Sequence, residues 1–457
     1  MSLSRRDALK VIGLSPVAAA VLFSSKPTDM NASEDVNGKI LIVGGGSGAI
    51  MALSRLHRAI KNPDITIIAP NEIHIYQPGQ VFVAAGEMDY DDIFLSNNDY
   101  IPKDVEWIKD EVAAFNPKNN SVTTRAGKEV KYDYMVVATG IVNRFDKIEG
   151  LTKEDIGTNG ISCVYLNDLE KGTARGASEM WNWFNDLKEV AKTKRPTVVY
   201  TQPDSPIKCG GAPQKMLYLS ADYLKEAGIG ANYQFYTGLK TLFHLPKVAE
   251  SLTEVQHRYD TIETKFSHFL QSIDVKAKTA TFVHAYEKEV YDEDFDEYTK
   301  ESVSEEVKVT YDFIHVVPPM SPPEAVLKSD LINGMGWLDV DQYSLQHKKY
   351  NNIFGIGDVC GIPMGKTGGS ARHHGPILTD NLISVMKGKA PKEKFDGYTV
   401  CPLKTQYGKI IMAEFNYEGP KPTIPFLDIE KPRWMWWAFD LYMLKPMYKH
   451  LMLPGYF

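Results

Sequence analysis

Two sets of residues in this chain have types and spacing suited to chemistry. The first is Gly44-Gly45-Gly46-Ser47-Gly48-Ala49, which follows the apolar run Lys39 to Val43 and opens a helix-periodic stretch through Ile50, Met51, Leu53 and Leu56. Gly44-x-Gly46-x-x-Ala49 is the pattern of a turn that cradles a pyrophosphate. Gly44 permits the tight turn, Gly46 lets the backbone approach the phosphates, and Ala49 allows close helix–strand packing. The helix that follows offers free N–H groups and the positive end of its dipole. The second set is the cysteines, of which there are four: Cys163, Cys209, Cys360 and Cys401. That is too few for a disulfide scaffold. Cys209 and Cys360 each follow a strand and precede a glycine, in the βα loops where doubly wound folds place their reactive groups. A helix N-terminus and neighbouring Lys208 would favour the Cys209 thiolate, and a thiolate attacks sulfur. Read bottom-up, these two form a redox pair, Cys163 is a buried residue, and Cys401, in an apolar stretch, is structural.

Two later segments decide which dinucleotide is meant. Ala138-Thr139-Gly140 ends the strand from Tyr132, and Gly355-Ile356-Gly357-Asp358 ends the strand from Asn352. They resemble the second and third FAD loops of two-dinucleotide-domain flavoproteins, in which Asp358 would accept hydrogen bonds from the ribityl hydroxyls. One expected part is missing: an acidic residue should end the second strand to hold a ribose hydroxyl, and that position is Ala69, followed by Pro70, Asn71 and Glu72. A second αβ half begins at Pro196 to Tyr200. It has no glycine fingerprint after its strand; Lys208-Cys209-Gly210-Gly211 stands there instead. This argues against a pyridine-nucleotide reductase. Arg372-His373-His374 could transfer protons, and with no third ligand at metal spacing no metal site is expected.

These residues need a particular frame. The expected fold class is α/β: two Rossmann-like dinucleotide-binding domains with a C-terminal amphipathic membrane-docking region. A chain of 457 residues is too long for one core. The expected division is 1–37 signal and linker, 38–150 first part of the FAD domain, 151–330 second Rossmann-like domain with Cys209, 331–400 second part of the FAD domain, and 401–457 the membrane-interface region. The acidic stretch 286–306 reads as a solvated hairpin or loop. A net charge of −7 argues against nucleic acid as a partner.

Both ends of the chain point to a membrane. Ser4-Arg5-Arg6-Asp7-Ala8-Leu9-Lys10 before the apolar run Val11 to Phe23 resembles a twin-arginine export signal, giving a location on the periplasmic side of the cytoplasmic membrane, peripheral or monotopic. At the other end, Trp434 to Leu453 mixes aromatic, Met and Leu residues with Asp440, Lys445 and Lys449. Pro446 is expected to divide it into two short helices, neither long enough to span a bilayer, suited to lying in the headgroup region where a lipid-dissolved substrate could enter.

Several motifs together resemble sulfide:quinone oxidoreductases, particularly the mitochondrial type. They are Pro206 to Lys215 around Cys209, Val317 to Pro323, Leu345-Gln346-His347, Ile353 to Asp358, Tyr398 to Leu403 and Ala413-Glu414-Phe415. The resemblance runs from residue 39 to the C-terminus. It implies an enzyme in which sulfide attacks a Cys209–Cys360 disulfide or trisulfide. By the family pattern Cys209 carries the persulfide and Cys360 attacks the flavin; electrons pass to FAD and then to quinone. Gln77 and Pro78, in His74 to Gly79, would lie near the isoalloxazine ring, and Lys366 would stabilise the reduced flavin. One departure is that Val359 separates Cys360 from Asp358, where the mitochondrial type has the cysteine directly after the aspartate. The partners implied are sulfide, a quinone, a sulfur acceptor (sulfite, a thiol or more sulfide) and a membrane surface, with a homo-oligomer compatible. Two other readings stay open here: the flavoprotein subunit of a flavocytochrome c sulfide dehydrogenase, and a flavin-binding persulfide carrier without turnover.

Overall fold

The computed structural model describes residues 34–456 apart from 169, 170, 260 and 293–296. The expected export signal lies outside the described residues. Strand β1 (Lys39–Val43) leads through the glycine turn into helix α1 (Ser47–Ala59), then β2 (Asp64–Ile68), β3 (Glu106–Ile108) and β4 (Tyr134–Val137). β1 is buried along four of its five residues, as befits a strand covered on both faces. Ile40 and Ile42 face one core, with α1; Leu41 and Val43 face another. That alternation is the period-2 geometry of a strand.

A second unit follows. It contains β5 (Ile161–Ser162), helix α2 (Arg175–Ala191), β6 (Thr197–Gln202), helix α3 (Ala212–Glu226), β7 (Asn232–Thr237) and β8 (Ile262–Phe266). The antiparallel strands β9 (His268–Asp274), β10 (Thr279–Asp292) and β11 (Glu297–Thr310) come next, then β12 (Phe313–His315). The parallel order is β5-β12-β6-β7-β8. The acidic stretch is thus the hairpin of β10 and β11, paired antiparallel from Thr279↔Thr310 outward.

The chain then returns to the first sheet with β13 (Ile353–Gly355), giving the order β13-β4-β1-β2-β3 with every pair parallel. The three expected cofactor loops therefore leave the C-terminal ends of adjacent strands β13, β4 and β1. Helix α4 (Gly368–Met386) packs against α1, and a final antiparallel pair, β14 (Thr399–Gln406) and β15 (Lys409–Asn416), lies against α3. The expectation of two Rossmann-like sheets is met.

The C-terminal region differs from its expectation. Residues 434–452 run as a nearly unbroken helical path of α and π turns, and Pro446 does not divide it. The wide π turn Phe439–Met443 precedes the proline, and such turns absorb local mismatches in the helical hydrogen-bond ladder. Much of the aromatic face is spent on the protein's own core. Trp436, Trp437, Phe439 and Tyr448 are buried, and Trp437 meets the Phe82 ring edge-on at 5.2 Å. Trp434 and Phe426 stay in solvent at 53% and 83% exposure. No helix among the described residues is long and apolar enough to cross a membrane.

Candidate active site

The glycine turn is built as its sequence demands. Gly44 has φ +126°, in the region that disfavours side chains, and a Cβ there would stand 2.3 Å from the Ala138 carbonyl oxygen. Gly44 N–H donates to Ile68 O at 2.9 Å. At Gly46, Gly140 and Gly357 a Cβ would meet nothing within 4 Å. The three loops thus pack on each other through Gly44 and Gly48 and present bare backbone to a common open groove. Thr139 has a buried hydroxyl oxygen without a hydrogen-bond partner among the described residues. Asp358 is half-buried at the mouth of the third loop, its carboxyl raised above the usual range by burial and pulled back by Lys366 and Lys208. Open space over Gly46, Gly140 and Gly357, with an unsatisfied hydroxyl and a carboxylate on the same loops, fits a dinucleotide with a polyhydroxylated linker. Gly44, Gly46, Ser47, Gly48, Ala49, Thr139, Gly140, Gly357 and Asp358 are brought together.

The end of the second strand presents no carboxylate for a ribose hydroxyl among the described residues. Ala69 is fully buried and Glu72 faces solvent beside Lys109. Asn71 uses its amide on Gly45 O and Ile73 O, holding the turn. Gln77 is exposed and Pro78 half-buried on the short 3₁₀ turn after buried Tyr76.

Lys366 is tied down. Its ammonium donates to Asp358 O at 2.6 Å and Cys360 O at 3.0 Å and lies 3.5 Å from the centre of the Trp337 ring. Burial lowers its pKa to about 8. It therefore fixes the third loop. His374 does likewise: its Nδ1 accepts from Gly357 N–H, and burial holds its pKa at about 3, so it is neutral. His373 is stacked on Tyr398, and burial keeps it neutral as well, at about 3.

Cys209 does not stand with Cys360. Cys360 is fully buried among Leu338, Val340 and Gly355, in the core that Leu41 and Val43 share, and desolvation raises its thiol to about 12. The cause is local. Gly357–Val359 is a 3₁₀ turn, and Val359 adds the residue that turns the next side chain under the sheet, where Leu338 bridges to it. The partner of Cys209 is Cys401, on β14. Its Sγ lies 2.7 Å from where a Cβ on Gly211 would stand, and the two thiols shift each other's ionisation in opposite directions. The expectation put Cys360 beside Cys209; the structure brings Cys401 there and places Cys360 in the other core. Cys163 is buried in the second core, its thiol pushed to about 12 by desolvation.

Cys209 is held for reaction. Its φ of +50° is unusual for a side-chain-bearing residue. Its N–H donates to Lys366 O at 2.9 Å, and its carbonyl accepts from Tyr165 Oη at 3.1 Å and Ala212 N at 2.8 Å. Lys215 Nζ, within α3, lies 3.0 Å from the sulfur. The neighbouring Cys401, then Lys215 and Lys404, hold the Cys209 thiol well below the ordinary thiol range against the opposing effect of burial. Cys401 moves the other way, raised by Cys209 beside it and by burial. Beneath them, Lys404 Nζ and Asp440 Oδ2 form an ion pair at 2.5 Å, each side chain 2% exposed. Sequence reasoning missed Cys401, Lys215 and Lys404. Lys215 lies in the same quoted motif as Cys209, and Cys401 in the Tyr398 to Leu403 motif, but only the tertiary packing of β14 on α3 joins them.

A model of the pyridine nucleotide-disulphide oxidoreductase family matches residues 38–173. Mitochondrial sulfide:quinone oxidoreductase of Mus musculus is 34% identical over 92% of this chain and 87% of its own length. That of Dictyostelium discoideum is 37% identical over 83% and 78%. The chain belongs to the sulfide:quinone oxidoreductase family. Among solved structures, the Aquifex aeolicus sulfide:quinone oxidoreductase shares the fold with a TM-score of 0.67 at 20% identity, covering 92% of both chains. A chain in the Tetrahymena thermophila mitochondrial ATP synthase structure shares it with a TM-score of 0.74 at 18% identity, over 94% and 99%. As a sulfide:quinone oxidoreductase the protein is a FAD-dependent flavoenzyme that oxidises sulfide with quinone as the electron acceptor.

Proposed function

We propose that the chemistry runs through Cys209 and Cys401 as a redox pair, and the contact of Cys401 with Cys209 carries this reading. In the oxidised pair, hydrosulfide attacks one sulfur of the disulfide, the S–S bond breaks, and the other cysteine leaves as a thiolate. The better leaving group is the thiol of lower pKa. Cys209, with the Lys215 ammonium 3.0 Å from its sulfur, is that group. The persulfide therefore forms on Cys401, reversing the role that the family pattern implied for Cys209. Opening the disulfide takes two electrons from the sulfide sulfur; after the persulfide sulfur leaves, re-forming the Cys209–Cys401 disulfide gives them up, and quinone gains two electrons and two protons. Bound FAD, held by Gly44 to Ala49, Thr139-Gly140 and Gly357-Asp358, would supply the two-electron relay between them. Lys366 and His374 keep the third loop in place. Gln77 and Pro78 are assigned to the flavin ring's surroundings. The persulfide sulfur goes to a nucleophile: sulfite, a thiol or more sulfide.

Exposed Trp434 and Phe426 near the C-terminal helical path support docking on a membrane surface from which quinone enters. The periplasmic location rests on the twin-arginine motif at Ser4 to Phe23 alone; the relatives carry mitochondrial names. Fractionation of cells expressing the full chain tests it. The reaction is tested by adding sulfide anaerobically to the holoenzyme and following the flavin band, then adding decylubiquinone. Bleaching followed by recovery supports the reading. Bleaching without recovery would favour a haem protein as acceptor, and no bleaching would remove the enzyme mechanism.

A further inference from the structure

The C-terminal segment touches the glycine turn. Tyr448 Oη lies 2.6 Å from Ser47 Oγ, between residues 401 positions apart. It also lies 2.5 Å from His74 Nε2. The direction of these bonds can be worked out. Asn97 donates its amide to Gly45 O at 3.0 Å and Asn71 O at 2.9 Å, so its Oδ1 is what faces His74 Nδ1 at 3.0 Å. Nδ1 must then carry the proton, and Nε2 is an acceptor. Burial holds His74 at a pKa of about 4, so the ring has no second proton to give. Tyr448 therefore donates to His74, and its oxygen is left to accept from Ser47. The result is one directional chain, Ser47 to Tyr448 to His74 to Asn97 to Gly45, which starts and ends on the glycine turn.

The rest of the segment is anchored to the same helix. Arg58, on α1, donates to the carbonyls of Pro454 and Gly455, and its guanidinium lies 4.3 Å over the Tyr456 ring. Tyr100 Oη donates to Lys449 O at 3.3 Å, and the rings of Tyr76 and Tyr448 are 5.0 Å apart. The first turn of α1 has no side-chain cap at Gly46, so Ser47 is the first side chain at the phosphate-binding end.

We infer that Tyr448 is a positioning residue for FAD: the C-terminal segment is a clasp that fixes Ser47 and the glycine turn in the pyrophosphate-binding arrangement, so that cofactor retention depends on the far end of the chain. The inference rests on the FAD assignment. Without the clasp, Ser47 gains rotamers and the turn loses the bond chain that holds Gly45, and FAD must order both on binding.

The test is the dissociation constant for FAD, measured by the fluorescence recovered on release from wild type, Tyr448→Phe, Ser47→Ala and the double variant of the full chain. Tyr448→Phe is expected to weaken FAD binding about tenfold, the scale of one buried hydrogen bond. Ser47→Ala is expected to do about the same, and the double variant to be no weaker than either single one, because both break one chain. His74→Gln makes the same test without altering the C-terminal segment. Unchanged affinity in Tyr448→Phe, or effects that multiply in the double variant, would overturn the clasp. Wild-type protein that binds no FAD would instead overturn the cofactor assignment beneath it.

Discussion

The ammonium of Lys215 lies 3.0 Å from the sulfur of Cys209, while the neighbouring sulfur of Cys401 has its thiol raised by Cys209 and by burial. A buried cation beside one cysteine of a pair makes the two sulfurs unequal, and the inequality sets which leaves and which keeps the persulfide. Lys215→Met is expected to move the Cys209 thiolate to higher pH. The pH midpoint of iodoacetamide alkylation should move up by the same amount, with the rate at a given pH falling about tenfold for each unit that the pKa rises above that pH. An unchanged pH profile would mean that Lys215 does not sustain the thiolate.

The second prediction contrasts two glycines of one turn. Gly44→Ala puts a Cβ 2.3 Å from the Ala138 carbonyl at a φ of +126° and should destabilise the fold by roughly 2 kcal/mol or more. Gly46→Ala meets nothing within 4 Å, so the apoprotein should melt as wild type while FAD binding falls, because the methyl group projects into the groove. Thermal unfolding of the apo forms, with FAD retention measured separately, distinguishes the two.

The Lys404–Asp440 pair gives a third. With both side chains 2% exposed, removing one partner leaves a buried charge unpaired. Lys404→Met should cost roughly 3–5 kcal/mol, and the double variant Lys404→Met/Asp440→Leu should recover most of it. Urea unfolding measures both. Equal losses in the single and double variants would contradict this account.

Buried histidines give the fourth, a pH dependence. His74 is held at about 4, and His315, His373 and His374 at about 3, each lowered from 6.5 chiefly by burial. Below pH 6.5 the unfolded chain binds protons that the folded state refuses. Stability therefore falls as pH drops from about 6.5 towards 4, by up to about 1.4 kcal/mol per pH unit for each histidine. Urea midpoints at pH 7.5, 6 and 5 should decrease in that order. A flat profile would show that these rings are protonated in the folded protein.

What was legible in the sequence was local. β1, the glycine turn and α1 are consecutive, and each step has its own residue signature, so their geometry followed from spacing. The loops at Thr139 and Asp358 were legible because each ends an apolar strand. The cysteine pairing was not, for two physical reasons. Whether Cys360 points into the groove or under the sheet depends on one residue, Val359, in a 3₁₀ turn. The approach of Cys401 depends on β14 packing against α3, a contact between distant segments that no short motif encodes. The same holds for Tyr448, whose partners Ser47 and His74 lie near the other end of the chain. Pro446 misled because a π turn before it accommodates what a regular α-helix does not.

The central claim, that Cys209 and Cys401 are the reacting pair, is tested most directly by the rate at which sulfide bleaches the flavin anaerobically in Cys209→Ser, Cys401→Ser and Cys360→Ser. The first two are expected to lose rapid bleaching, and Cys360→Ser to keep it within a few-fold of wild type, provided that each variant retains FAD. Wild-type bleaching in Cys401→Ser together with its loss in FAD-loaded Cys360→Ser would contradict the account.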